Sequence, residues 1–226
     1  MIKLVNVSKS YLKGVNILQA INLYIEAGEF VSLVGQSGSG KTSLVKILIG
    51  EEKINDGRVI IGDWDITKIS RREVPYLRRQ IGVIFQDFKL LPQKTLWENV
   101  AFALEVCGQP QVKINKIVSS VMRLVGLEDK KDRYPHEVSG GEQQRTAIAR
   151  SLVHQPKILL ADEPTGNLDS INANEIIDLL IRINKFGTTV ILVTHNREIV
   201  NQLKKRVIAI EKGKVVSDQE KGKYLL

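Results

Sequence analysis

Gly35 to Thr42 reads GQSGSGKT, directly after the apolar run Phe30 to Val34 and directly before Ser43 to Ile49. Two glycines separated by four residues and followed by Lys and Thr, between a strand-like run and a helix-like run, form the phosphate-binding loop pattern. Glycines let the backbone curl so that successive N–H groups point at an anion, and the next helix begins there with its positive dipole end. The pattern makes Gly35, Gln36, Ser37, Gly38, Ser39, Gly40, Lys41, Thr42 and Ser43 candidate nucleotide-binding residues. Lys41 would reach the β- and γ-phosphates and Thr42 would hold Mg²⁺. A Gly/Ser loop with an incidental Lys has the same local composition, so the rest of the chain must decide.

A chain of 226 residues buries a substantial core without disulfides or metal. Its single cysteine, Cys107, lies in an apolar helical pattern, which excludes an internal disulfide framework and points to a reduced, cytosolic setting. No apolar run approaches the roughly 18 residues that cross a bilayer, and the N-terminus turns polar too early for a signal peptide, so a membrane role is expected to go through a partner. The net charge of +8 permits attraction to anions. The basic residues are scattered, without aromatic interleaving or a nucleic-acid module, so they read as solvated faces and no direct nucleic-acid binding is expected.

Residues 2 to 7 and 17 to 25 alternate like antiparallel strands beside the first core strand, with Tyr11 between them. Gly57 to Ile61 is a strand bracketed by turn residues, and Ile81 to Phe85 is a buried-strand run. The middle changes character: Thr95 to Cys107, Val112 to Val125 and Gly140 to His154 carry helical periodicity, broken by Pro110 and Pro135. Strand and helix then alternate again from Ile158 to a final hairpin at Lys212-Gly213. The expectation is an α/β fold: a mainly parallel sheet with its ligand site at the strands' carboxyl ends, an antiparallel β subdomain and an inserted helical subdomain. The boundaries read as one domain over 1–226, with 1–87 and 155–226 forming the core and 88–154 the helical insertion.

The run Ile158 to Ala161 ends in Asp162-Glu163. Acids at the end of a strand beside a phosphate loop suit a Mg²⁺ shell for Asp162, and orientation or deprotonation of an attacking water for Glu163. Two carboxylates opening a helix ahead of Pro164 would look similar. Ser139 and Glu142 are spaced as a capping box, yet Gly140 and Gly141 inside that first turn each cost roughly 1 kcal/mol relative to Ala. Glycines there expose backbone N–H groups to something that comes close, and the segment reads as a second phosphate-binding element.

GQSGSGKT, VSGGEQQR, ILLADEP, Asn167-Leu168-Asp169 and Thr194-His195, in this order, resemble the ATP-binding subunits of ABC transporters across essentially the whole chain. The resemblance implies a P-loop NTPase (RecA-like) core and an ATPase. It also implies a head-to-tail homodimer that sandwiches two ATP molecules with Mg²⁺, each between the phosphate loop of one copy and Ser139, Gly140, Gly141 and Glu142 of the other. By the same resemblance Tyr11 stacks on adenine, Gln86 links Mg²⁺ and water to the helical subdomain, His195 contacts the γ-phosphate and positions Glu163, and Asp169 lies at the dimer interface. Taken alone, Tyr11 is an ordinary hairpin aromatic, Gln86 a surface polar residue and His195 a structural histidine. Gln36, Thr42-Ser43, Val138 and Asn196 depart from the commonest family pattern without removing a required functional group.

The stretches PYLRRQIGVIFQDFKLLP and THNREIVNQLKKRVIAIEKGKVVSD further resemble the cell-division branch of this family. That resemblance implies an integral membrane permease-like partner of the FtsX type, a position on the cytoplasmic side of the bacterial membrane, and possible contact with other division proteins. ATPase subunits for lipoprotein release, macrolide export or other transport remain the alternative. The apolar groups around Gln86 are equally a subdomain core or a partner groove.

Overall fold

The structure, a computed structural model, describes residues 1–12 and 15–224. Its centre is a six-stranded sheet of β3 (Phe30–Val34), β6 (Ile81–Ile84), β7 (Ile158–Asp162), β8 (Thr189–Val193), β9 (Arg206–Glu211) and β10 (Lys214–Gln219), in the order β10-β9-β3-β8-β7-β6. The first five run parallel, and β10 returns antiparallel on β9 after Lys212-Gly213. The central strands are buried on both sides, and their alternate residues feed two different cores, as the two-residue period of a strand requires.

On one face Val31, Leu33, Ile158, Leu160, Ile191 and Val193 join α1 (Lys41–Leu48) and a second sheet. That sheet holds β1 (Ile2–Leu12), β2 (Val15–Ile25), β4 (Asp56–Ile61) and β5 (Trp64–Asp65) in the order β2-β1-β4-β5, all antiparallel. On the other face Phe30, Leu159, Ala161, Val190 and Leu192 pack with α3 (Leu96–Glu105), α4 (Gln111–Leu124), α5 (Gly140–Leu152) and α6 (Ser170–Lys185). α2 (Val74–Gln80) precedes β6 and α7 (Arg197–Leu203) precedes β9.

The antiparallel strands form their own sheet packed across the central one, the expected β subdomain. Two details differ from the sequence pattern. Tyr11 lies inside β1, because that strand runs on to Leu12. α2 escaped the periodicity reading because only Leu77 of its seven residues is buried. The apolar residues around Gln86 divide: Ile84 before it is core, while Phe88, Leu90 and Leu91 after it are half-buried.

Candidate active site

Because β3, β6, β7 and β8 are parallel, the segments after them emerge at one edge of the sheet, and four sequence motifs converge there. The phosphate loop leaves β3, Gln86 follows β6, Asp162-Glu163 ends β7 and His195 follows β8. A pocket of about 550 Å³ contains Ser37, Gly38, Gly40, Lys41, Thr42 and Ser43 on one side and Gln86, Asp162, Glu163 and His195 on the other, with Tyr11 and Ile17 at its margin.

Two loop glycines are demanded by geometry. Gly35 has φ +154, and a Cβ there would stand 2.2 Å from the Ile210 carbonyl oxygen. Gly40 has φ +108, and a Cβ there would meet Leu18 at 2.7 Å and the Ile17 carbonyl at 2.8 Å. The loop therefore approaches neighbouring strands more closely than any side chain permits. Lys41, the first residue of α1, is buried and donates from Nζ to the carbonyls of Gly35 (2.8 Å) and Gln36 (2.9 Å) and to Ser39 Oγ (3.4 Å). Gly35, Gln36 and Ser39 thus form the floor under Lys41. Burial pulls the Lys41 ammonium below its ordinary range, opposed by the nearby Glu163 and Asp162 carboxylates.

Glu163 keeps the β7 ladder with its N–H, which donates to the Val193 carbonyl at 2.9 Å, and then turns left-handed at φ 50. A non-glycine residue held there costs about 1–3 kcal/mol, a strain that recurs at functional sites. The turn brings Glu163 Oε1 to 2.7 Å from His195 Nδ1. A carboxylate only accepts, so Nδ1–H donates and Nε2 is left for the pocket. Asp162 has its carboxyl pushed up by burial and then by the adjacent Glu163, against the pull of Lys41 and Lys89. Gln86 donates from Nε2 to Asn167 Oδ1 at 3.2 Å, and Asn167 returns a bond from Nδ2 to the Gln86 carbonyl at 3.1 Å. Tyr11 is half-exposed, its hydroxyl held by Glu52 and by Ser43 Oγ at 3.1 Å.

The second phosphate element lies outside this pocket. Ser139 caps α5 and forms the expected reciprocal box with Glu142, whose carboxylate also meets Lys130. Gly141 is buried, and its missing side chain serves a helix contact: a Cβ there would stand 2.1 Å from Asn172 Oδ1. Of the two glycines, Gly140 is half-buried beside the exposed Ser139, while Gly141 is turned into the contact with α6. Asp169 caps α6, accepting from the N–H groups of Ile171 and Asn172 at 2.9 Å each and from Asn172 Nδ2 at 2.6 Å. Gly141→Ala is expected to push Asn172 off Asp169 and cost about 1–3 kcal/mol of stability. Denaturant midpoints check this, and Asn172→Ala in the same chain should recover part of the loss.

Sequence reasoning gave no role to Asn167 as the partner of Gln86, nor a separate one to Gln144. Gln144 is fully buried and donates from Nε2 to the Pro164 carbonyl at 2.6 Å, joining α5 to the turn after Glu163. The signal was available: a buried amide inside an otherwise apolar helix face needs a partner.

Residues 18–166 match the family model of the ABC transporter. The chain is 50% identical over 224 residues to the cell division ATP-binding protein FtsE of Bacillus subtilis, covering 99% of this chain and 98% of that protein. It is 49% identical over 223 residues to FtsE of Streptococcus pneumoniae, covering 99% and 97%. Among solved structures, the dimeric post-hydrolysis state of the ATP-binding cassette MJ0796 bound to ADP and Pi superposes with a TM-score of 0.87 at 35% identity, covering 99% of this chain and 100% of that one. This chain belongs to the ATP-hydrolysing, ATP-binding subunits of the ABC transporter family, in the FtsE group.

Proposed function

We propose that the chain is the ATPase of a bacterial cell-division complex, working as a homodimer closed by ATP and bound to the cytoplasmic face of the membrane through an FtsX-like integral membrane subunit. The observation that carries the reading is the single pocket in which the phosphate loop faces the Glu163–His195 pair. Lys41 neutralises the β- and γ-phosphates, and the amides at Ser37 to Gly40 cradle them at the start of α1. Tyr11 offers its exposed ring to the adenine. Glu163 orients the attacking water and takes its proton, and His195 holds Glu163 through Nδ1 while presenting Nε2 to the γ-phosphate. Ser139, Gly140 and Glu142 serve the site of the partner subunit, and Asp169 lies where the two copies meet.

The oxygen donors of Thr42, Asp162 and Gln86 suit a hard cation, and Asp162, half-buried beside a second carboxylate, is a group that such a cation would relieve. Mg²⁺ fits this set, with Gln86 contributing its amide oxygen because its nitrogen is engaged by Asn167. When bound it would supply charge neutralisation to the phosphates. The division of the chain is assigned as one domain, 1–87 and 155–226 as core and 88–154 as helical subdomain, since α3, α4 and α5 all lie between β6 and β7.

Among the described residues no helix is long and apolar enough to cross a membrane. On the proposed function, isolation of the tagged chain from membranes is expected to recover an integral permease-like protein with four spanning helices. Recovery instead of a solute-binding protein with a large permease would replace the division reading by transport.

A further inference from the structure

The segment that follows Gln86 lies along α5. Phe88 and Lys89 both adopt left-handed backbone conformations, at φ 53 and φ 50, which L-residues avoid. Arg150, in the last turn of α5, spans them with its planar fork: Nη2 donates to the Phe88 carbonyl at 2.9 Å and Nη1 to the Lys89 carbonyl at 2.7 Å. No ion pair links Arg150 to a carboxylate among the described residues, and burial lowers its guanidinium from the ordinary range. The two carbonyls and the negative end of the α5 dipole are what compensate its charge.

Two further contacts tie the same segment to the same helix. Gln144 Nε2 reaches the Phe85 carbonyl at 3.5 Å, on the other flank of Gln86. The Phe88 ring comes within 3.8 Å of where a Cβ on Gly140 would stand. Gln86 therefore sits between two anchor points on α5, and the anchor after it holds backbone that would otherwise relax.

We propose that Arg150 is a positioning residue for ATP hydrolysis: its two-pronged contact with Phe88 and Lys89 holds the strained turn that sets where Gln86 stands in the pocket. This rests on the assignment of Gln86 to the metal-and-water side of the site. A lysine replaces the contact only in part, since one ammonium lacks the planar fork that meets two carbonyls together.

The test is steady-state hydrolysis by the full chain in its membrane complex, for Arg150→Ala, Arg150→Lys, Gln86→Ala and the double variant Gln86→Ala/Arg150→Ala. Arg150→Ala should lower kcat by about 10- to 100-fold with KM for ATP within about threefold, because displacement of a positioned group slows the chemistry and Arg150 stands outside the pocket. Arg150→Lys should fall in between. The double variant should be within about twofold of Gln86→Ala, the non-additivity of residues that act through one another. Amide hydrogen exchange at Asp87 to Leu90 should quicken in Arg150→Ala, a readout independent of turnover.

Wild-type kcat in Arg150→Ala, multiplicative losses in the double variant, or unchanged exchange would each overturn the proposal. If Gln86→Ala is slow while Arg150→Ala is normal, Arg150 alone loses its role. If Gln86→Ala turns over normally, the Gln86 assignment and this proposal fall together. Should Arg150→Ala not fold, Arg150→Lys carries the same cycle.

Discussion

Glu163→Gln should bind ATP as the unaltered chain does, lose about 10²- to 10⁴-fold in kcat and accumulate as an ATP-held dimer. The substitution keeps the shape of the side chain, and the amide oxygen can still accept from His195 Nδ1, which lies 2.7 Å from Oε1. It removes the group's ability to take a proton from water. It also removes one of the two negative charges that oppose an incoming polyphosphate: Glu163 is the second cause of the raised Asp162 carboxyl. Nucleotide affinity should therefore hold or rise while the chemical step stalls. Single-turnover kinetics with [γ-³²P]ATP and light scattering in the presence of ATP check both halves. Ordinary turnover by this variant would take Glu163 out of the reaction.

Lys41→Ala should fail earlier, at binding. A hydrogen bond to a charged group contributes about 1.5–3 kcal/mol, so loss of this ammonium should weaken ATP by about 10- to 150-fold. The effect on folding should be smaller and partly self-cancelling. The change strips a donor from the Gly35 and Gln36 carbonyls, yet it also removes a cation whose burial already disfavours its charge. Titration with a fluorescent ATP analogue separates the two variants, since Glu163→Gln should saturate at ordinary concentrations and Lys41→Ala should not. Equal affinities would show that the ammonium serves the loop's own carbonyls rather than the nucleotide.

The parallel core was legible because its strands are uninterrupted apolar runs, as in Ile158 to Ala161 and Thr189 to Val193, whose lengths leave little freedom in where they begin and end. The antiparallel sheet was less so. Asn6 and Ala20 take left-handed conformations, and the pairing of β1 with β2 shifts register around them, so the two-residue alternation breaks and the strands run past where the pattern stops. Their membership of a separate sheet depends on pairing partners far apart in the chain, such as Ile2 with Ile61. The roles of the glycines separated in the same way. GQSGSGKT declared its own need for them, whereas Gly141 turned out to serve Asn172, a residue 31 positions later.

What the amino-acid sequence by itself determined is the set of candidate groups: a phosphate loop, a carboxylate pair at a strand end, a capped glycine-bearing helix and a histidine after a strand. Each depends on neighbours within a few residues, and local propensity and spacing act over that range. Only the tertiary structure decided that Glu163 and His195 share a hydrogen bond, that Gln86 is paired with Asn167, and that Arg150 holds the turn beside it. Those contacts join residues 32, 81 and 62 positions apart, and they exist because the parallel sheet delivers the ends of β6, β7 and β8 to one edge while α5 packs beneath them.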